Sequence, residues 1–311
     1  MSAGAPTIFC IGFNKSGVKS LEQVFREQLG LRVCHDPRWT YWSQTGDRDR
    51  LGQFDAFVDG ECANLGTLRS LVPGGRYILN TRGLRNWLVS RHRAVERSRY
   101  VMRWALKRAL FPGGLPGWVR GPMNNGFPAL ERWVQIRNSY HAYVLDEFRD
   151  RPQELLILNL ESESEAGFQA LERFLGLKTP VEPVHRNRAG DSTSGGRVYA
   201  ALRGNVDDWA ESLEVVDGFL HKTGLDRFAD SSVVIPLEEW RLPPNGVDRL
   251  LRWCPGLALL QRRSIRWACR WRQQARSIVG IYLADRLLGL CRSQSDLSAF
   301  VPVDRYASAS T

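Results

Sequence analysis

Two segments of this chain combine backbone, cationic and hydroxyl groups in the way that phosphate recognition requires. The first, Ile8-Phe9-Cys10-Ile11-Gly12-Phe13-Asn14-Lys15-Ser16-Gly17-Val18-Lys19-Ser20-Leu21, carries an apolar strand through a Gly-bearing turn into a helix. Such a turn leaves backbone N–H groups facing inward, and the helix start adds the positive end of its dipole. Lys15 supplies a mobile positive charge, with Ser16 and Ser20 as hydroxyl donors. The segment is not a Walker A loop, because Gly17 is followed by Val18 and not by Lys-Ser/Thr. An ordinary strand-to-helix turn is the competing reading. In the second segment, Tyr77-Ile78-Leu79-Asn80-Thr81-Arg82, Arg82 ends a strand, and Ser90 lies about two turns into the next helix. Arg offers a planar fork suited to phosphate, and Ser adds one hydroxyl. Alone, this spacing is a weak signal. As a pair, the segments suit a nucleoside with phosphate at both ends.

Five apolar runs are expected to position these groups as strands: residues 7–12, 31–34, 55–59, 76–80 and 155–160. Helical patterns separate them at about 16–29, 86–107, 130–148 and 166–175, the last ending at Gly176. Strands alternating with helices predict an α/β fold: a three-layer parallel sheet with helices on both faces. Ligands of such sheets sit outside the carboxyl ends of the strands, where the suggestive residues of the first half fall. Phe111 to Phe127, rich in Gly and Pro, reads either as a lid-like insertion (about 108–128) or as a plain surface loop. Residues 186–197 form a second polar loop.

Composition excludes other classes. Hydrophobic residues make up 43% and charged residues 24%, which is ordinary for a globular protein and excludes a disordered chain. No stretch is long and apolar enough for a spanning helix, and Met1–Pro6 lacks the features of a signal peptide, so a cytoplasmic location is expected. Cys10, Cys34, Cys62, Cys254, Cys269 and Cys291 form no CxxC and read as buried or incidental thiols; no metal site is expected. Of the net charge of +10, the stretch Arg241–Arg292 carries +9, from eleven Arg against Asp248 and Asp285. The basic character therefore belongs to the C-terminal part and says little about the rest.

In these residues the chain resembles the P-loop sulfotransferases that use 3′-phosphoadenosine 5′-phosphosulfate (PAPS). Their loop, Gly-x-Pro-Lys/Arg-Ser/Thr-Gly-Thr-Ser/Thr, holds the 5′-phosphosulfate, and Gly12 to Leu21 is similar to it. Their second motif, a strand ending in Arg with Ser eight residues later, is matched by Arg76–Arg82, Trp87 and Ser90. Glu154–Leu160 and Leu171–Gly176 resemble the later strand and the "FLG" helix end, so the likeness covers about residues 7–190. It departs at Asn14, in place of Pro, at Val18 and Lys19, in place of two hydroxyl residues, and at Gly83-Leu84 after the Arg. The resemblance implies that PAPS is the cosubstrate, held by Gly12, Asn14, Lys15, Ser16, Gly17, Val18, Lys19, Ser20, Arg82 and Ser90, with Arg188 and Gly190 closing over the 3′-phosphate and Arg186 and Arg197 competing for that role. It implies attack on sulfur by an acceptor hydroxyl or amine, with Lys15 at the bridging oxygen. For the general base, Glu61 is the first choice, Asp59 the second and His35 the third; each is alternatively a plain loop residue. His92 and His141 read as structural.

The expected organisation is a sulfotransferase domain over 1–235 and a basic, Trp- and Arg-rich helical extension over 236–311. The extension reads either as a helical pair packed on the domain or on a second subunit, or as a peripheral membrane contact through 247–292, on the inner face of a membrane. Nucleic acid is disfavoured, because no recognition motif accompanies the charge. The acceptor class is a small molecule, glycan or lipid. A non-catalytic relative attached to a membrane or polyanion is the alternative function, and a P-loop kinase a further one.

Overall fold

The computed structural model of the chain describes residues 6–35, 39–44, 46–61, 63–110, 127–161, 164–184, 201, 208–236 and 246–274. Arg188, Gly190, most of the lid-like segment and the basic stretch after 274 lie outside the described residues.

Five parallel strands form the sheet: β1 (Ile8–Cys10), β2 (Val33–His35), β3 (Ala56–Val58), β4 (Arg76–Thr81) and β5 (Leu155–Asn159), in the order β2-β3-β1-β4-β5. Alternation along the strands divides the core in two. Ile8, Cys10, Ala56, Val58 and Ile78 pack on one face with Val18 and Leu21 of α1 (Val18–Gln23) and with Phe168 and Leu171 of α7 (Ser164–Leu175). On the other face Phe9 stacks on Phe57 and Tyr77, and Trp39 of α2 (Trp39–Gln44) and Phe148 cover them. Burial on both faces is why β1, β3 and β4 read as continuous apolar runs.

The connection after β1 runs toward β2 and β3, whereas the chain after β4 goes on to β5 on the opposite side. The crevice at the carboxyl ends of β1 and β4 is therefore the topological switch point, where α/β sheets bind ligands. The sheet register sets Cys10 opposite Ile78, and the Ile11 N–H donates to the Ile78 carbonyl at 2.9 Å. This alignment brings the first phosphate-reading segment against the second.

Helix α1 begins at Val18, two residues later than its periodicity suggests. Lys15 and Gly17 take φ of 69° and 90°, outside the helical region, so the chain enters the helix only after them. The helix then widens into a π-helical turn over Val24–Gln28. Two short helices, α3 (Arg48–Leu51) and α4 (Leu65–Leu71), flank β3, and α6 spans Phe127–Glu147.

The chain divides into two compact units. One holds residues 1–82, 135–184 and 232–311, and the other holds 83–134 and 185–231. In the second unit, α5 (Leu84–Leu110) packs on α8 (Asp208–Thr223). Arg85 pairs in bidentate fashion with Asp217, at 2.7 Å for each bond, and His92 meets the Ser212 hydroxyl at 3.0 Å. His92 is buried at this contact.

Candidate active site

The loop between β1 and α1 is held by a residue that sequence reasoning passed over. Asn80, buried near the end of β4, accepts a hydrogen bond from the Gly12 N–H at 3.0 Å through Oδ1. Its Nδ2 donates to the Ser16 hydroxyl at 2.7 Å and to the Ser16 carbonyl at 3.3 Å. A backbone N–H only donates, so Gly12 fixes which way this amide faces. Gly12 is required here, because a Cβ would lie 2.0 Å from the Asn80 carbonyl oxygen. Ser16 is buried, and its hydroxyl proton goes to the Phe13 carbonyl, so its hydroxyl braces the loop from inside.

Lys15 and Gly17, both at positive φ, alternate with Ser16, the pattern by which a turn makes an anion-binding nest of N–H groups. A non-glycine residue in that region is costly, and such conformations cluster at functional sites. The Lys15 side chain is exposed, Asn14 and Lys19 are half-buried, and Ser20 is buried at the start of α1. Val18 packs in the core beside Leu21 and Phe168, so its side chain serves packing and only its backbone lies along the loop.

At the exit of β4, Arg82 donates to the Lys15 carbonyl at 3.4 Å, which ties the two motifs together. Its guanidinium also holds Glu161, just after β5, at 2.6 and 3.1 Å through one carboxylate oxygen. The Arg82 guanidinium thus reaches the backbone of the loop that carries Lys15, at the β1–β4 crevice, an arrangement that fits a phosphate-rich ligand. Ser90 lies half-buried in α5, in the second unit.

The exits of β2 and β3 carry the candidate bases. Asp59 also has positive φ, 66°, and the following Gly60 N–H donates to the Cys10 carbonyl at 3.0 Å. His35 lies between two carboxylates, with Nδ1 at 2.5 Å from Glu22 and Nε2 at 3.6 Å from Asp59. Asp59 and then Glu22 favour the imidazolium and raise the His35 pKa above its ordinary value, against the opposing effect of burial. The structure therefore joins two of the three candidates and adds Glu22. Glu61 is half-buried in the turn two residues beyond Asp59.

Helix α6 supports the exits of β1, β3 and β4 within the first unit. Arg137 donates to the Arg82 carbonyl at 3.0 Å and to Val233 at 3.1 Å. Tyr140 donates to the Gly60 carbonyl at 3.5 Å and meets Phe13 edge-on, with ring centroids 5.5 Å apart. His141 stands 5.7 Å from the Phe13 ring, and its Nδ1 meets the Val233 carbonyl at 3.1 Å. Burial holds the His141 pKa well below its ordinary value and lowers that of Arg137 to about 9. His141 is thus a neutral structural residue, in keeping with its sequence reading.

With this geometry in place, comparison with known families becomes specific. A sequence model described as the sulfotransferase domain matches residues 7–192, well over half of the chain. The chain belongs to the sulfotransferase domain family. No curated protein and no solved structure matches it. The matched span contains β1 through α7 and every candidate described above.

Several working parts of this sulfotransferase domain escaped sequence reasoning. Asn80 sits inside an apolar run, where a polar residue at the carboxyl end of a strand was the available signal. Glu161 lies two residues past the end of β5 and carried the same positional signal. Arg137 and Tyr140 bond to backbone carbonyls, which leave no trace in a side-chain pattern. Among the described residues no cluster of His, Cys, Asp and Glu has the form of a metal site. Cys10 and Cys34 are buried thiols, and burial pushes the Cys10 pKa up; Cys254 is exposed.

Proposed function

We propose that this sulfotransferase domain uses PAPS and transfers its sulfuryl group to a hydroxyl or amine of a small-molecule, glycan or lipid acceptor. The observation that carries this reading is the bond from Arg82 to the backbone carbonyl of Lys15 at the switch-point crevice, on a loop that Asn80 braces through Gly12 and Ser16. PAPS supplies an activated sulfuryl group with a good leaving group. The Lys15 ammonium and the loop N–H groups bind the 5′-phosphosulfate and offset the charge that builds on the bridging oxygen. Arg82 reads the 3′-phosphate, and Ser90 is the second donor that the motif spacing implies.

The bond from acceptor oxygen or nitrogen to sulfur forms as the bridging S–O bond breaks, and 3′-phosphoadenosine 5′-phosphate leaves. The acceptor proton passes to the Asp59–His35 pair. Asp59 ends the strand next to β1, and its carboxylate, 3.6 Å from His35 Nε2, is the proton acceptor. Glu22, half-buried, orients the imidazole through Nδ1.

Thermal stability with added nucleotide tests the cofactor. 3′-Phosphoadenosine 5′-phosphate should raise Tm, AMP should raise it far less, and Arg82→Ala should remove most of the difference. Equal stabilisation by AMP would overturn the 3′-phosphate assignment. Transfer of radiolabelled sulfate from PAPS into acceptor extracts tests the reaction. Loss of turnover in Asp59→Asn with little change in Glu61→Gln supports the Asp59–His35 pair, and the reverse order assigns the base to Glu61.

One observation favours a second, non-catalytic reading: Glu161 already pairs with Arg82. Under it, nucleotide binds without any transfer to extract.

A further inference from the structure

We propose that the helices α9 (Gly246–Trp253) and α10 (Ala258–Gln274) form a docking face for an anionic lipid bilayer. Among the described residues, five of the seven exposed large hydrophobic side chains lie here: Leu250, Trp253, Leu259, Leu260 and Trp267, with Trp253 at 86% exposure. The same segment holds seven Arg, no Lys, and Asp248 as its one acid.

On α10, helical spacing separates three stripes. Ile265 and Ala268 face inward and are fully buried. Leu260, Trp267 and Trp271 line up on one outer stripe, and the rings of Trp267 and Trp271 lie 5.2 Å apart. Arg263, Arg266 and Arg270 form the stripe beside them, with Arg263 and Arg270 exposed. A bilayer interface has this layout, because apolar rings enter the acyl boundary while neighbouring guanidinium groups reach lipid phosphates. Trp is also the side chain that favours the headgroup level. A nucleic-acid backbone would engage the Arg stripe but leave Leu250, Leu259 and Leu260 in water. No helix among the described residues is long and apolar enough to cross a membrane, so the contact is peripheral. The proposal stands independently of the sulfotransferase chemistry.

Co-sedimentation of the full chain with vesicles tests it. The chain should sediment with phosphatidylcholine vesicles containing about 30 mol % phosphatidylglycerol, and weakly with phosphatidylcholine alone. Replacing Arg263, Arg266 and Arg270 together by Gln should weaken partitioning by roughly a hundredfold, since each Arg at such a surface contributes about fivefold and the three multiply. Trp253→Ser with Trp267→Ser should weaken it by about tenfold, and added salt should act mainly through the Arg stripe. Both side-chain sets are largely exposed, and an unchanged Tm confirms that the variants fold. Failure to sediment with the anionic vesicles overturns the proposal. So does heparin binding of equal strength that ignores the Trp pair, which marks a polyanion site. A dimer that the Trp pair disperses, with vesicle binding unchanged, assigns the face to a second copy of the chain.

Discussion

Arg82 already has an anionic partner: Glu161 grips two nitrogens of the guanidinium that is proposed to read the 3′-phosphate. A bound phosphate must share that fork or displace the carboxylate, and the carboxylate repels it. Glu161→Gln keeps one acceptor and removes the charge. Affinity for 3′-phosphoadenosine 5′-phosphate, measured by calorimetry, should rise by about three- to tenfold. A weaker affinity would show instead that Glu161 positions Arg82. His35 makes a second prediction, in pH. Asp59 and Glu22 raise its folded pKa, so its contribution to stability is complete below an unfolded value of about 6.5 and is lost as pH climbs through the folded one. Tm should therefore fall as pH rises above about 6.5 in the wild-type chain, and His35→Gln should flatten that fall. An equally steep fall in the variant would place the titration elsewhere.

At the scale of elements, α6 acts as a common brace. Arg137 and Tyr140, three residues apart on one face, reach the exits of β4 and β3, and Tyr140 and His141 pack on the loop after β1. Burial destabilises the Arg137 cation, yet bonds to two backbone carbonyls retain it. Arg137→Met keeps much of the volume and leaves both carbonyls short of a donor, so stability should drop by about 2–4 kcal/mol, read as a lower midpoint in urea. A change under about 0.5 kcal/mol would mean that the helix braces by packing alone. The central strands β1, β3 and β4 were legible because burial on both faces gives unbroken apolar runs, and β5 from its apolar run although it is an edge strand with Ile157 exposed. The start of α1 was less so, since its delay comes from two positive-φ residues, one of them Lys15, which propensity does not anticipate. The basic loop and its Arg partner were recognisable as types at a spacing. Asn80 was not, because its role exists only once β4 lies in register beside β1.

At the scale of the whole molecule, sheet order explains why distant motifs act together. Placing β1 between β3 and β4 gathers the loop after Cys10, the turn at Asp59 and the Arg82 exit at adjacent strand ends, although they span some seventy residues of sequence. The exposed Trp and Arg groups of α9 and α10 belong to a part of the chain outside the matched family span. Two ligands should then leave two separate footprints in hydrogen exchange. A nucleotide binds only the folded chain and should slow exchange of amides at 12–17, 59–61 and 80–82. Anionic vesicles should slow the amides of 246–274 and leave the loop amides as they were. If nucleotide protected both sets equally, the basic helices would be part of the nucleotide-responsive unit, and membrane docking would have to be coupled to cofactor binding.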